Sequence, residues 1–97
     1  MTQNREPSRE YEIVNIGGWQ NATCRFMASS YGFVEVPGVS QDIHMHVTKL
    51  PRREGGGFIR PFSGGGLEVK VGHRVDNPKM LAVAETRNIE VRQAKAA

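Results

Sequence analysis

Cysteine is almost absent from this 97-residue chain: Cys24 stands alone, so no intramolecular disulfide can form to substitute for a core. Long apolar runs are missing as well. No stretch reaches the eighteen or so consecutive apolar residues that cross a bilayer as a helix, and the opening MTQNREPSREYE lacks the apolar segment of a secretory leader. Both absences point to an intracellular, cytoplasmic protein that makes no use of a membrane. Amphipathic periodicity over three turns is also lacking, which argues against a helical bundle, and no internal repeat suggests a solenoid.

Catalytic spacing is equally scarce. No Ser/His/Asp or Cys/His arrangement supports nucleophilic catalysis, and paired carboxylates are absent from the ring face apart from Glu35 and Asp42. The glycine runs at 55–57 and 64–66 precede neither the Lys-Ser/Thr of a phosphate loop nor a helix. His44 and His46 point the same way on a strand, yet neither Cys24 nor His73 is spaced as a dependable third metal ligand. An enzyme is not expected, and neither a cofactor nor a metal is required.

What remains is a small, glycine-rich, basic chain. Ninety-seven residues make one domain that buries about 60 to 65% of its unfolded surface. Residues 1–10 and 92–97 lack periodicity and read as disordered tails, leaving 11–91 as a single domain. The net charge is +3, from 13 basic and 10 acidic residues. Lys49, Arg52, Arg53 and Arg60 face only Glu54 within 49–60, while the rest of the chain carries nine of each sign. All of the excess positive charge therefore lies in one segment.

Strand signals follow one another. Residues 11–16 (YEIVNI) form a short strand closed by Gly17-Gly18, and Trp19 reads as a cap on one end of the core. Residues 23–28 (TCRFMA) make a second strand, with Cys24 as a small core residue and Phe26 on its side. Period two along 31–36 puts Gly32, Val34 and Val36 on one face and Tyr31, Phe33 and Glu35 on the other. After a turn at Pro37-Gly38, Ile43, Met45 and Val47 share the apolar face, and Asp42, His44 and His46 the opposite one. The sixteen residues 51–66, with six glycines and two prolines, read as a long loop. Residues 67–75 (LEVKVGHRV) alternate as a half-buried strand, Asp76-Asn77-Pro78 turns the chain, and 80–89 fit a strand or a short helix, the turn favouring a strand. Five or six short strands and one long loop predict an all-β, small antiparallel barrel.

Pairing across Pro37-Gly38 brings Tyr31 and Phe33 beside His44 and His46, about 5 Å apart. Phe26 extends that surface. An exposed face of flat rings marks a contact site, and bases are one cover for it; a surface roofed by the N-terminal segment is the other reading.

The stretches Ser29-Ser30-Tyr31-Gly32-Phe33-Val34 and Ile43-His44-Met45-His46 resemble the two signatures of the cold-shock domain family, roughly KGFGFI and VFVH. Gly57-Phe58, with Phe62 and a glycine after it, is similar to the family's long-loop pattern, and the resemblance covers about residues 23–89. It implies a five-stranded OB-type barrel, here with an N-terminal extension, that binds single-stranded RNA or DNA. Carried over, Tyr31, Phe33, His44, His46 and Phe58 match stacking positions, Phe26 the first-strand tryptophan and Arg25 a phosphate-facing lysine. Separately from the resemblance, Arg60 of the basic segment is a further candidate phosphate contact. Ser29-Ser30 replaces the family's Lys-Gly, and His44 replaces a phenylalanine. Stacking then outweighs charge in the expected binding. A degenerate OB module that docks a protein partner, as a monomer or a weak dimer, is the alternative.

Overall fold

The computed structural model describes residues 12–91, and the tails expected at 1–10 and 92–97, together with Tyr11, lie outside them. Among the described residues, six strands form in chain order: β1 (Ile13–Val14), β2 (Trp19–Met27), β3 (Tyr31–Glu35), β4 (Ile43–His46), β5 (Gly66–Arg74) and β6 (Asn77–Arg87). The protein is all-β; a single 3-10 turn, Val47–Lys49, is the only helical element among the described residues. Residues 80–89, open to either assignment by propensity, lie mostly within β6. The turn before it is Val75-Asp76, so Asn77 and Pro78 belong to the strand.

Partner switching along the strands curls the sheet. The first half of β2 pairs with β5, from Trp19 opposite Lys70 to Thr23 opposite Gly66. Its second half pairs with β3, beginning at Thr23 opposite Glu35. β3 pairs with β4, β5 with β6, and His44 of β4 meets Ala82 of β6 in the one parallel contact. The sheet thus closes partly into a ring, with a single residue pair at its seam. Beyond the ring, β1 continues along β5 where β2 leaves off, with Ile13 opposite Arg74 and Val14 opposite His73. Gly72 makes that approach possible, because a Cβ there would overlap the Val14 carbonyl oxygen and lie 2.8 Å from Ile13 Cγ2.

The alternation of β3 and β4 fills the interior. Val34, Val36, Ile43 and Met45 are fully buried and meet Cys24, Val69 and Val83 from the other strands. Each such aliphatic side chain contributes roughly 1.5–3 kcal/mol. Val47, expected on the same face, lies in the 3-10 turn and is only half-buried.

Residues 51–65 are more ordered than a glycine-rich loop suggests. Arg52 bridges Phe58, the Arg53 amide donates to the Gly57 carbonyl (3.0 Å), and the Ile59 amide to the Pro51 carbonyl (2.8 Å). Gly55, Gly56 and Gly57 all take positive φ at the tip, where L side chains are strained. This finger rejoins the sheet through two hydrogen bonds: Gly64 amide to Cys24 carbonyl (2.7 Å) and Cys24 amide to Gly65 carbonyl (2.8 Å).

Candidate functional site

The ring cluster depends on one irregularity in β2. Cys24 pairs with Val34 and Phe26 with Phe33, so Arg25 is an extra, bulged residue. Strict alternation keeps Phe26 on the side of Cys24, in the core. The bulge turns it outward instead, beside Phe33. Gly32 permits the tight approach behind it, since a Cβ at that position would overlap the Phe26 carbonyl oxygen and sit 2.7 Å from Met27 Sδ.

Four rings then gather on one sheet face. Phe26 and Tyr31 lie 6.3 Å apart between centroids at 66°, Tyr31 and Phe33 5.8 Å apart at 89°, and Phe33 and His44 5.6 Å apart at 80°. These are edge-to-face contacts, in which the positive edge of one ring meets the negative face of the next. Tyr31 and His44 are instead parallel, at 5.6 Å and 11°.

Exposure divides this cluster into two tiers. Phe26 is 47% exposed, Tyr31 and Phe33 are half-buried, but His44 and His46 are only 3% and 5% exposed. The two imidazoles expected as open platforms are therefore buried ones. Their strand places them away from the core, and the rings of β3 lie beside them on the same face. His46 also serves the backbone: its Nδ1 accepts from the Thr48 amide (3.2 Å), with Thr48 Oγ1 at 2.8 Å, and so caps the 3-10 turn.

The basic residues sort by location. Arg25 lies 3.5 Å from Glu35 and 3.7 Å from Asp42, so its charge is shared with carboxylates at the far end of the β3–β4 hairpin. Arg60 reaches from the finger to the β2–β3 turn, donating from Nη1 to the Ala28 carbonyl (3.1 Å) and from Nη2 to the Ser29 carbonyl (2.9 Å). Arg52 lies over Phe58 at 4.8 Å, and that ring packs half-buried against the core instead of facing outward as a free platform. Among the six described arginines, Arg25, Arg74 and Arg87 are in ion pairs; Arg52, Arg53 and Arg60, all on the finger, are in none. Net positive charge is thus concentrated beside the Tyr31 end of the ring face.

The remaining residues singled out by sequence do not converge on a site. Cys24 is buried in the core, where desolvation pushes its thiol pKa up, and His44 and His46 lie on the opposite sheet face. His73 accepts from Asn15 Nδ2 (2.7 Å), an anchor for β1. Trp19 is not the core cap that its sequence position suggests. It is the first residue of β2, half-buried on the outer surface, with Arg87 4.0 Å and Lys70 5.0 Å from its ring centre. Arg87 also donates to Glu68 (2.7 Å), and that hydrogen bond holds the Glu68 carboxyl below its usual pKa.

Comparison of the chain with protein-family models, curated proteins and solved structures finds no match. Among the described residues, no helix is long and apolar enough to cross a membrane.

Proposed function

We propose that the face carrying Phe26, Tyr31 and Phe33 binds single-stranded RNA or DNA by stacking bases on its rings, in the manner of a cold-shock protein in the cytoplasm. The observation that carries this reading is the gathering of three solvent-reachable aromatic rings from two adjacent strands, next to a finger with three arginines free of ion pairs. The strand order supports an OB-type barrel in which β2, β3, β4, β5 and β6 are the five barrel strands and β1 is the extension. On that assignment the ring face lies on the first and second barrel strands and leans on the third, so it overlaps the usual oligonucleotide surface of the fold at β3 and β4.

Stacking contributes about 1–3 kcal/mol per base. Two or three occupied rings give weak to moderate affinity once ordering of the strand is subtracted. Charge adds little: two or three neutralised phosphates give a log–log salt slope of about −1.4 to −2.1. Anisotropy of a labelled dT oligonucleotide at low salt tests the reading. Tyr31→Leu combined with Phe33→Leu keeps cover over the imidazoles but removes both flat faces, so affinity falls at least tenfold. Equal affinity in that variant refutes base stacking.

A protein-docking role is the second reading. It is favoured by the pairing of Arg25 with Glu35 and Asp42 and by the burial of both imidazoles, which reduce charge and flat area on the face. Absence of oligonucleotide binding at tens of micromolar selects it.

A further inference from the structure

Ser29 and Ser30 make the turn between β2 and β3, closed by the Ala28 amide donating to the Tyr31 carbonyl (2.7 Å). Three successive carbonyls of this turn are taken by groups distant in sequence. Arg60 Nη1 donates to Ala28 (3.1 Å) and Nη2 to Ser29 (2.9 Å), while the Val47 amide donates to Ser30 (3.0 Å). The backbone of the turn is thereby fixed, with Ser29 exposed and Ser30 half-buried. What Ser29 presents to solvent is its hydroxyl.

The guanidinium at this turn has capacity to spare. Arginine carries five N–H donors, and the two carbonyl bonds of Arg60 occupy one on each terminal nitrogen without neutralising the charge. Among the described residues Arg60 is in no ion pair, and it is exposed. An uncompensated guanidinium bonded to the backbone of an exposed serine is one half of an arginine–phosphate pair. Phosphoserine would supply the other: about −1.5 to −2 charges at pH 7 and three acceptor oxygens, a group that the guanidinium fork matches. Two other exposed hydroxyls have the opposite setting. Ser40 lies two residues before Asp42, and Thr23 stands opposite Glu35, both at the carboxylate end of the hairpin.

We propose that Ser29 is a phosphorylation site whose phosphate is captured by Arg60, tightening the finger onto the β2–β3 turn and setting negative charge at the Tyr31 end of the ring face. The phosphoryl group comes from a nucleoside triphosphate. Ser29 Oγ bonds to the γ-phosphorus as the bond from that phosphorus to the β–γ bridging oxygen breaks; the diphosphate leaves, and the hydroxyl proton passes to a base of the kinase. The net charge of +3 falls to about +1. Weaker binding of a nucleic-acid strand rests on the single-strand reading of the ring face. Capture by Arg60 does not.

The full chain prepared with phosphoserine at position 29, and separately at position 40, tests the capture by phosphorus NMR as a function of pH. At position 29 the second ionisation is expected at least about 0.5 unit below its ordinary value of about 6, and at position 40 at or above that value. Arg60→Met is expected to remove the shift at position 29. Should that variant lose its dispersed amide spectrum, Arg60→Lys replaces it and is expected to halve the shift or more, because an ammonium lacks the fork. Equal ionisation at the two positions, or a shift that survives loss of the guanidinium, overturns the capture. Occupancy is read by mass spectrometry of the chain recovered from the cells that produce it, lysed with phosphatase inhibitors. Phosphate on Ser29 is expected; phosphate on Ser40 or Ser63 alone, or on no serine, overturns the site. Phosphoserine at position 29 is also expected to weaken dT oligonucleotide binding at least fivefold, and unchanged affinity overturns the switch. If the unphosphorylated chain binds no oligonucleotide, the single-strand reading fails by itself, and ionisation and occupancy still decide the site.

Discussion

Tyr31 and His44 lie face to face, 5.6 Å apart and 11° from parallel, although they are not partners in the β3–β4 register. Tyr31 stands opposite His46, and Phe33 opposite His44, so the stack is diagonal across the ladder. A diagonal neighbour is within reach only of large side chains. The consequence is a layered surface in which an imidazole of 3% exposure underlies a ring that solvent still reaches. Tyr31 therefore has a structural duty besides any contact with a ligand.

Truncation separates those duties. Tyr31→Ala removes an offset stack worth about 0.5–1.5 kcal/mol and uncovers His44, so urea unfolding should report a loss of about 1–3 kcal/mol. Tyr31→Phe keeps the ring and should stay within about 0.5 kcal/mol of wild type. A Tyr31→Ala protein as stable as wild type means that the ring does not support the imidazole beneath it.

Gly32 offers a sharper structural test. An added Cβ meets the Phe26 carbonyl oxygen and Met27, both parts of the bulged strand, so Gly32→Ala must displace the turn of chain that presents Phe26. Overpacking of this kind costs about 1–3 kcal/mol, or about 4–8 °C in Tm per kcal/mol for a domain of this size. Gly18→Ala, where nothing lies within 4 Å of the added atom, is the control and should leave Tm nearly unchanged. Equal melting of the two variants contradicts the packing described.

Cys24 makes the stability of the protein sensitive to alkali. Burial holds its thiol pKa above the ordinary value of 9.0, partly opposed by a hydrogen bond from the Phe26 backbone. The native state then keeps its proton to higher pH than the unfolded state, and stability falls where the native state binds more protons. This contribution is complete below the unfolded value, starts to be lost as pH passes it, and is gone above the folded value. Cys24→Ala leaves a small cavity, costing about 1 kcal/mol at neutral pH, but has no thiol to titrate. The stability gap between wild type and variant should narrow as pH rises past the ordinary thiol value of 9.0 in urea titrations. A gap that stays constant or widens is incompatible with a buried thiol of raised pKa.

Much of the curled sheet is legible because alternation is a local property. Val34, Val36, Ile43 and Met45 are buried where period two puts them, and the N-terminal segment does add a strand, through Ile13 and Val14. The site is less legible because its features depend on one residue or on distant contacts. The extra residue at Arg25 moves Phe26 to the other face, and nothing in TCRFMA alone marks it. His44 and His46 are on the expected side of β4, but the Tyr31 and Phe33 rings that lie against His44 belong to β3. Trp19 faces Arg87 and Lys70, residues 51 and more positions away in the chain, which no window of sequence brings together.

Arg60 gives the most informative variant, because its two hydrogen bonds span 31 and 32 residues of sequence and tie the finger to the β2–β3 turn. The base of the finger is held separately, by the bonds of Gly64 and Gly65 to Cys24, and its own hairpin is closed by Arg53–Gly57 and Ile59–Pro51. Arg60→Met keeps most of the side-chain stem and removes only the guanidinium. The main sheet and the internal hairpin should persist, while the finger loses its fixed direction. Backbone nitrogen relaxation should then show reduced order over residues 52–60, with residues 31–36 and 43–46 unchanged. Global stability should fall by about 1 kcal/mol, the net worth of exposed hydrogen bonds of this kind. A finger as rigid in Arg60→Met as in wild type assigns its placement to the glycine bonds at its base, and Arg60 then retains only an electrostatic role.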